Sequence, residues 1–355
     1  MKILHVVGAR PNFMKVAPVL NALKSREHVS QTLIHTGQHY DVSMSDVFFQ
    51  QLEIPPPDLN LAVGSSTHAQ QTAEIMVRFE PILIERKPNV VVVYGDVNST
   101  VAAALVCAKL GVPVAHVEAG LRSFDRIMPE EINRLVTDQL ADLLFTPSED
   151  ADENLRKEGI APARIFRVGN VMIDSLVKLL PSARRVSPDG MPERFALVTL
   201  HRPANVDDGA TLKGIFDSLL EVSRDLSVVF PAHPRTRQRI ADFGLNPEQF
   251  RLLDPLPYID FLALQTRATV VITDSGGIQE ETTYLGVPCL TLRENTERPI
   301  TVSMGTNVLV GRNRDKLRME LAVVLEGKAR KGTIPPLWDG RAGERIANVV
   351  CNLAS

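Results

Sequence analysis

The chain has 355 residues, 44% of them hydrophobic, and a formal charge of -3 at pH 7. That length and apolar content favour two hydrophobic cores, and the charge gives no overall basic surface for nucleic acid. Three cysteines, Cys107, Cys289 and Cys351, stand far apart without CxxC or Cys/His spacing, which argues against a disulfide framework or a zinc site.

A short apolar stretch at residues 3–7 opens the chain, and Gly8-Ala9-Arg10-Pro11 interrupts it before the core of an export signal can develop. Further β-branched runs at 31–36, 90–94, 112–117 and 143–147 read as strands, with helical patterns at 13–25, 67–86 and 99–110 between them. Residues 181–192, rich in Pro, Ser, Arg and Gly, read as a linker. Strand patterns resume at 195–200, 227–231, 250–253, 269–273 and 288–292. This rhythm predicts βαβ units and parallel sheets, an α/β class of two Rossmann-like domains facing a cleft, with boundaries at 1–175 and 176–335. No apolar run reaches the roughly 18 residues of a membrane span, so a cytoplasmic protein without membrane or nucleic-acid partners is expected.

Chemistry-bearing residues gather at the strand ends. The turn Gly8-Ala9-Arg10-Pro11-Asn12-Phe13-Met14-Lys15 lacks the GxGxxG dinucleotide fingerprint but carries Arg10, a fork donor suited to phosphate, and Lys15. Asp96 and Glu118 follow two strand patterns, and Pro129-Glu130-Glu131 opens a helix containing Arg134 and Asp138. Several acids close together are one way to prepare a carboxylate for taking a proton from carbon, although a helix start favours Glu130 and Glu131 without any catalysis. His201 stands at a strand end, where it is either a donor to a departing diphosphate or an ordinary surface imidazole. Asp274-Ser275-Gly276-Gly277 joins a strand to a helix, and its glycines and free amides suit an anion; a plain turn capped by Ser275 is the alternative. Glu281, further into that helix, has the acceptors for two ribose hydroxyls. The absence of GxSxG, HExxH and Walker A motifs withdraws support from serine hydrolysis, zinc proteolysis and P-loop phosphoryl transfer.

Together with Thr36-Gly37-Gln38-His39-Tyr40-Asp41, His116-Val117-Glu118-Ala119-Gly120-Leu121-Arg122 and Thr296-Glu297-Arg298-Pro299, these segments closely resemble the bacterial and archaeal UDP-N-acetylglucosamine 2-epimerases, in order over nearly the whole chain. The resemblance implies a glycosyltransferase-B-like fold, with residues 336–355 packing back on the N-terminal domain, and a homodimer. It also implies interconversion of UDP-GlcNAc and UDP-ManNAc without a metal or other cofactor, through elimination and re-addition of UDP. Asp96, Glu118, Glu130 and His201 match catalytic candidates. Arg10, Lys15, Glu131, Arg134, Ser275, Gly276, Gly277 and Glu281 are carried over as substrate-binding candidates, and Gln38 and His39 match a possible allosteric UDP-GlcNAc site. The continuation His201-Arg202-Pro203-Ala204-Asn205-Val206-Asp207 departs from the Arg-Glu version of many bacterial members. A hydrolysing epimerase and a glycosyltransferase of similar fold are the competing expectations.

Overall fold

In the computed structural model, which describes residues 1–38, 51–188 and 190–352, the β-branched runs become parallel strands covered on both faces. The chain divides into two units, Met1–Lys178 with Pro336–Ser355, and Leu179–Pro335. Each contains one Rossmann-like sheet.

The strands of the first unit are β1 (Lys2–Val7), β2 (Ser30–His35), β3 (Leu59–Asn60), β4 (Val90–Tyr94), β5 (Val114–Val117), β6 (Leu143–Thr146) and β7 (Ile165–Arg167), ordered β3-β2-β1-β4-β5-β6-β7. Helices α1 (Arg10–Lys24), α2 (His68–Arg86), α3 (Asn98–Leu110), α4 (Pro129–Leu140) and α5 (Glu149–Lys157) lie between them, and α6 (Val171–Arg185) follows β7. All five residues of β4 are buried, which is why that segment is apolar at every position rather than alternating. Because β1 pairs with β2 on one side and β4 on the other, the strand order reverses at β1 and β4, the place where open α/β sheets hold ligands.

The second unit repeats the plan with β8 (Phe195–Thr199), β9 (Ser227–Pro231), β10 (Phe250–Leu253), β11 (Val270–Thr273), β12 (Cys289–Thr291) and β13 (Asn307–Leu309), ordered β10-β9-β8-β11-β12-β13. Its helices are α7 (Pro203–Val206), α8 (Gly209–Val222), α9 (Pro234–Asp242), α10 (Tyr258–Arg267), α11 (Gly276–Leu285), α12 (Pro299–Ser303) and α13 (Arg314–Leu325). Its switch point lies between β8 and β11. Its main core joins Val198, Val228, Phe230 and Ile272 of the sheet to Leu212, Phe216 and Leu219 of α8.

The linker expected at 181–192 is helical as far as Arg185, with Pro181 inside α6. Ile173, Leu176, Leu179 and Ala183 bury one helical stripe, and that burial carries the helix past a residue that cannot donate its own hydrogen bond. The last helix, α14 (Ala342–Cys351), lies against α1 of the first unit. Gly343 permits this approach, since a Cβ there would stand 2.6 Å from the Pro18 carbonyl oxygen. The buried Asp174 carboxylate accepts from the Ala342 and Gly343 amides at 3.1 and 2.7 Å, capping the helix. Among the described residues no helix is long and apolar enough to cross a membrane.

Candidate functional site

In the first unit the ends of β4 and β5 carry Asp96 and Glu118, and Glu131 of α4 joins Asp96 through a shared arginine, giving two groups of ion pairs. Glu118 follows β5 with φ +74, a left-handed conformation that a side chain adopts only where the surroundings enforce it. Its backbone amide donates to the Phe145 carbonyl at 3.1 Å, and its carboxylate meets the Lys15 ammonium of α1 at 2.8 Å, both side chains being buried. Gly95, also left-handed, lies where a Cβ would press on that ammonium at 2.6 Å, so the turn carrying Asp96 and the Lys15–Glu118 pair are packed together.

Asp96 pairs with Arg134 of α4, and the same guanidinium donates to Glu131 from Nη2 at 2.6 Å and from Nε at 3.1 Å. Glu131 also accepts from the Ser123 amide and hydroxyl at 2.9 and 3.0 Å and from the Phe124 amide at 2.9 Å. Burial by itself would raise its pKa; these donors outweigh burial and hold the carboxyl below its ordinary range. Glu131 and Arg134 therefore spend their polar groups on the 123–124 loop and on Asp96, whereas Glu130 is exposed in the first turn of α4.

The first turn of the chain is tied to β4 by Asn12, whose Oδ1 accepts from the Gly8 and Ala9 amides while its Nδ2 donates to the Tyr94 carbonyl at 3.0 Å. Arg10 begins α1. Gln38 is buried, and its Oε1 accepts from the Ser99 amide and hydroxyl at 3.0 and 2.7 Å, serving as a tertiary cap for α3, whose own N-cap residue is Val97. The companion residue His39 lies outside the described residues.

In the second unit Asp274, fully buried after β11, organises the switch point. It accepts from the amides of His201 and Arg202, from Asn205 Nδ2 at 3.2 Å and from His201 Nδ1 at 2.9 Å. Burial would raise its pKa, but the His201 contact and these amides prevail and lower it. Since an ionised carboxylate only accepts, Nδ1 of His201 carries a proton, and the half-exposed ring is oriented by that bond. The variant loop contributes here: Asn205 of α7 also donates to the Leu292 carbonyl at 3.1 Å.

Ser275 is the N-cap residue of α11, yet its side chain makes no capping bond, which removes the plain capped-turn reading of its hydroxyl. Gly276 and Gly277 begin the helix. A Cβ on Gly276 would lie 2.5 Å from Arg298 Nη1 and from Glu297 Oε1, so any side chain there would displace that ion pair from beneath the helix start. Arg298 pairs with Glu297 and, through Nε at 2.8 Å, with Glu280; Glu297 is also reached by Arg293 Nη2 at 2.7 Å and by Arg202 Nη2 at 3.5 Å. Burial opposes ionisation of Glu297, but Arg298, Arg293 and Arg202 drive its pKa far below the ordinary range. Arg202, Arg293 and Arg298 stand against Glu297, Glu280 and the ionised Asp274, so these charges balance, and the free amides at the N-terminus of α11 are what suit an anion. Arg293 and Arg298 carry no local pattern that marks them in the sequence beyond the Thr296-Glu297-Arg298-Pro299 segment, and it is the fold that gathers them with Arg202 around Glu297.

Glu281 points into the same unit from α11, accepting the Tyr258 hydroxyl on Oε1 at 2.8 Å; among the described residues Oε2 makes no hydrogen bond of normal geometry, and the Gln265 side chain lies near the carboxylate. Burial pushes its pKa up to about 7. A buried acceptor so placed suits neutral hydroxyl donors.

A family model described as UDP-N-acetylglucosamine 2-epimerase matches residues 21–351. The UDP-N-acetylglucosamine 2-epimerase of Methanocaldococcus jannaschii is 42% identical over 364 residues, covering 99% of each chain. A crystal structure of the M. jannaschii UDP-GlcNAc 2-epimerase in complex with UDP-GlcNAc and UDP is similar at a TM-score of 0.93, with 41% identity, covering 99% of this chain and 100% of that one. The UDP-2,3-diacetamido-2,3-dideoxy-D-glucuronate 2-epimerase of Pseudomonas aeruginosa is 44% identical over 358 residues, covering 99% of this chain and 100% of its own. A lipopolysaccharide outer core galactosyltransferase, 16% identical over 99% of each chain with a TM-score of 0.59, shares the fold alone.

Proposed function

The chain belongs to the UDP-N-acetylglucosamine 2-epimerase family, and we propose that it interconverts UDP-GlcNAc and UDP-ManNAc without hydrolysing them. The observation that carries this reading is the placement of Asp96 and Glu118 at neighbouring strand ends, each carboxylate held by a buried cation.

C2 of the sugar has no adjacent carbonyl to acidify its hydrogen, so the leaving group must share the work. One carboxylate takes the C2 proton, the C2–H electron pair becomes the C1=C2 double bond, and the C1–O bond breaks with its electrons leaving on the β-phosphate oxygen of UDP. The bound 2-acetamidoglucal then accepts UDP at C1 while a proton is delivered to C2 from the opposite face. Asp96 and Glu118 are the acid/base pair in this reading, with Glu130 a further acid at the sugar, and Arg134 with Glu131 holding Asp96. Lys15 holds Glu118. Arg10, His201, Ser275, Gly276 and Gly277 bind the diphosphate and stabilise its developing charge, and Glu281 binds the ribose. The enzyme works in the cytoplasm as a homodimer and supplies a nucleotide sugar for cell-surface polysaccharide.

The 44% identity to the P. aeruginosa enzyme favours a second reading, in which the same C2 inversion acts on a 2,3-diacetamido uronate. Each UDP-sugar is incubated with the protein in deuterated water and followed by NMR. Accumulation of UDP-ManNAc deuterated at C2 is expected. UDP with free ManNAc would assign the hydrolysing reaction, turnover of the uronate alone would move the substrate, and UDP binding without C2 exchange from either sugar would overturn the epimerase reading.

A further inference from the structure

The turns bearing Asp96 and Glu118 are both hung on one buried carboxylate that the reaction does not use. Asp138 of α4 accepts from the Gly120 amide at 3.1 Å and from Arg122 Nη1 at 2.7 Å, and lies 2.6 Å from Nδ1 of His116 on β5. The other ring nitrogen of His116, Nε2, is 2.8 Å from the Gly95 carbonyl. Arg122 in turn donates from Nε and Nη2 to Glu158 at 2.8 and 2.6 Å. Gly95 immediately precedes Asp96, and Gly120 lies just beyond Glu118.

The hydrogen bonds decide the state of the ring. A backbone carbonyl only accepts, so Nε2 carries a proton. Asp138, with an arginine and an amide donating to it, is ionised and only accepts, so Nδ1 carries one as well. Both donors make His116 an imidazolium, fully buried. The charges balance: His116 and Arg122 are positive, Asp138 and Glu158 negative, as a buried cation requires. Beside the ring in register are the apolar Val93 of β4 and Leu144 of β6, and Glu118 two residues on is occupied by Lys15.

We propose that His116 is a positioning residue held as an imidazolium, and that its bridge from Asp138 to the Gly95 carbonyl sets the turns carrying Asp96 and Glu118 for proton transfer at C2. The need for such a bridge is visible in the backbone. Glu118 has a φ of +74, which a residue with a side chain keeps only when its surroundings over-determine it, and Gly95 and Gly120, at +65 and +81, have no side chains of their own to anchor the turns. A neutral ring would release either Asp138 or the Gly95 carbonyl, and one turn would relax.

The catalytic half of this inference rests on the epimerase reading; the protonation half does not. Nitrogen-15 NMR of the wild-type protein, without ligand, is expected to show both ring nitrogens of His116 protonated. A neutral tautomer there would overturn the proposal without any variant. His116→Gln and the near-isosteric Asp138→Asn are then compared with wild type by UDP binding and by steady-state C2 epimerisation. UDP affinity within about twofold of wild type is expected, with KM little changed and kcat lowered by roughly 10- to 100-fold, the scale of a misplaced catalytic group. The double variant is expected to lose no more than the worse single one. In Asp138→Asn the His116 signal is expected to lose one ring proton. An Asp138→Asn protein that folds, shows a neutral ring and keeps its kcat would refute the positioning role. Absence of C2 exchange in wild type would sink the epimerase reading and leave the NMR result standing.

Discussion

Replacing Glu281 by Gln should strengthen the fold and weaken the ligand. The carboxyl is buried and its pKa is raised from 4.5 to about 7. A raised acid binds its proton more tightly folded than unfolded, so stability is lost as pH rises from 4.5 through 7 and stays lost at pH 8. Roughly 2.5 units at about 1.36 kcal/mol each make that loss about 3 kcal/mol. The amide removes the ionisation, and its carbonyl oxygen can still accept the Tyr258 hydroxyl. In urea at pH 8 the Glu281→Gln protein should therefore be more stable than wild type, by a gain approaching about 3 kcal/mol that shrinks towards zero near pH 4.5. Ribose hydroxyls donating to a carboxylate contribute roughly 1.5–3 kcal/mol, so calorimetric UDP affinity should fall by roughly 10- to 100-fold. In wild type 2′-deoxy-UDP should bind more weakly than UDP, and the variant should barely distinguish the two. A variant destabilised at pH 8, or one that binds UDP as wild type does, refutes the reasoning.

Lys15→Met removes the cation paired with the buried Glu118 carboxylate and should destabilise the protein in urea denaturation, while Lys15→Met with Glu118→Gln should recover part of the loss; strictly additive losses would mean the two groups are not paired. His5 is buried with its pKa lowered by that burial to about 3, so the folded ring stays neutral while the unfolded chain takes a proton below 6.5. Stability is then present above pH 6.5 and lost as pH falls, by about 3 kcal/mol at pH 4.5, and His5→Gln should flatten that part of the profile; equal acid losses in both proteins would remove His5 as the cause. Gly120 and Gly111 have φ of +81 and +66, but only a Cβ at Gly120 would collide with a backbone carbonyl, that of Ala151, while Gly111 faces open space. Gly120→Ala should destabilise by at least about 2 kcal/mol more than Gly111→Ala in thermal or urea unfolding, and equal effects would show that backbone strain alone matters.

The interior strands and the strand-to-helix turns were readable because each declares itself locally. A run such as Val90–Tyr94 is apolar throughout because helices cover both faces, and Asp274-Ser275-Gly276-Gly277 marks a turn by composition alone. Three of the four edge strands, Leu59–Asn60, Ile165–Arg167 and Asn307–Leu309, escaped because they are only two or three residues long, whereas the four-residue edge Phe250–Leu253 was readable. Residue roles divide on the same principle. Glu131 and Glu281 look alike in sequence, each an acid next to another acid on a helix. What separates them is the count of donors supplied from elsewhere in the chain: Glu131 accepts from Ser123, Phe124 and Arg134, and Glu281 from Tyr258 with the Gln265 side chain nearby. The first is held below its ordinary pKa by donors already present, and the second is raised by burial. The distinction is carried by contacts many residues apart and is therefore invisible to any local pattern.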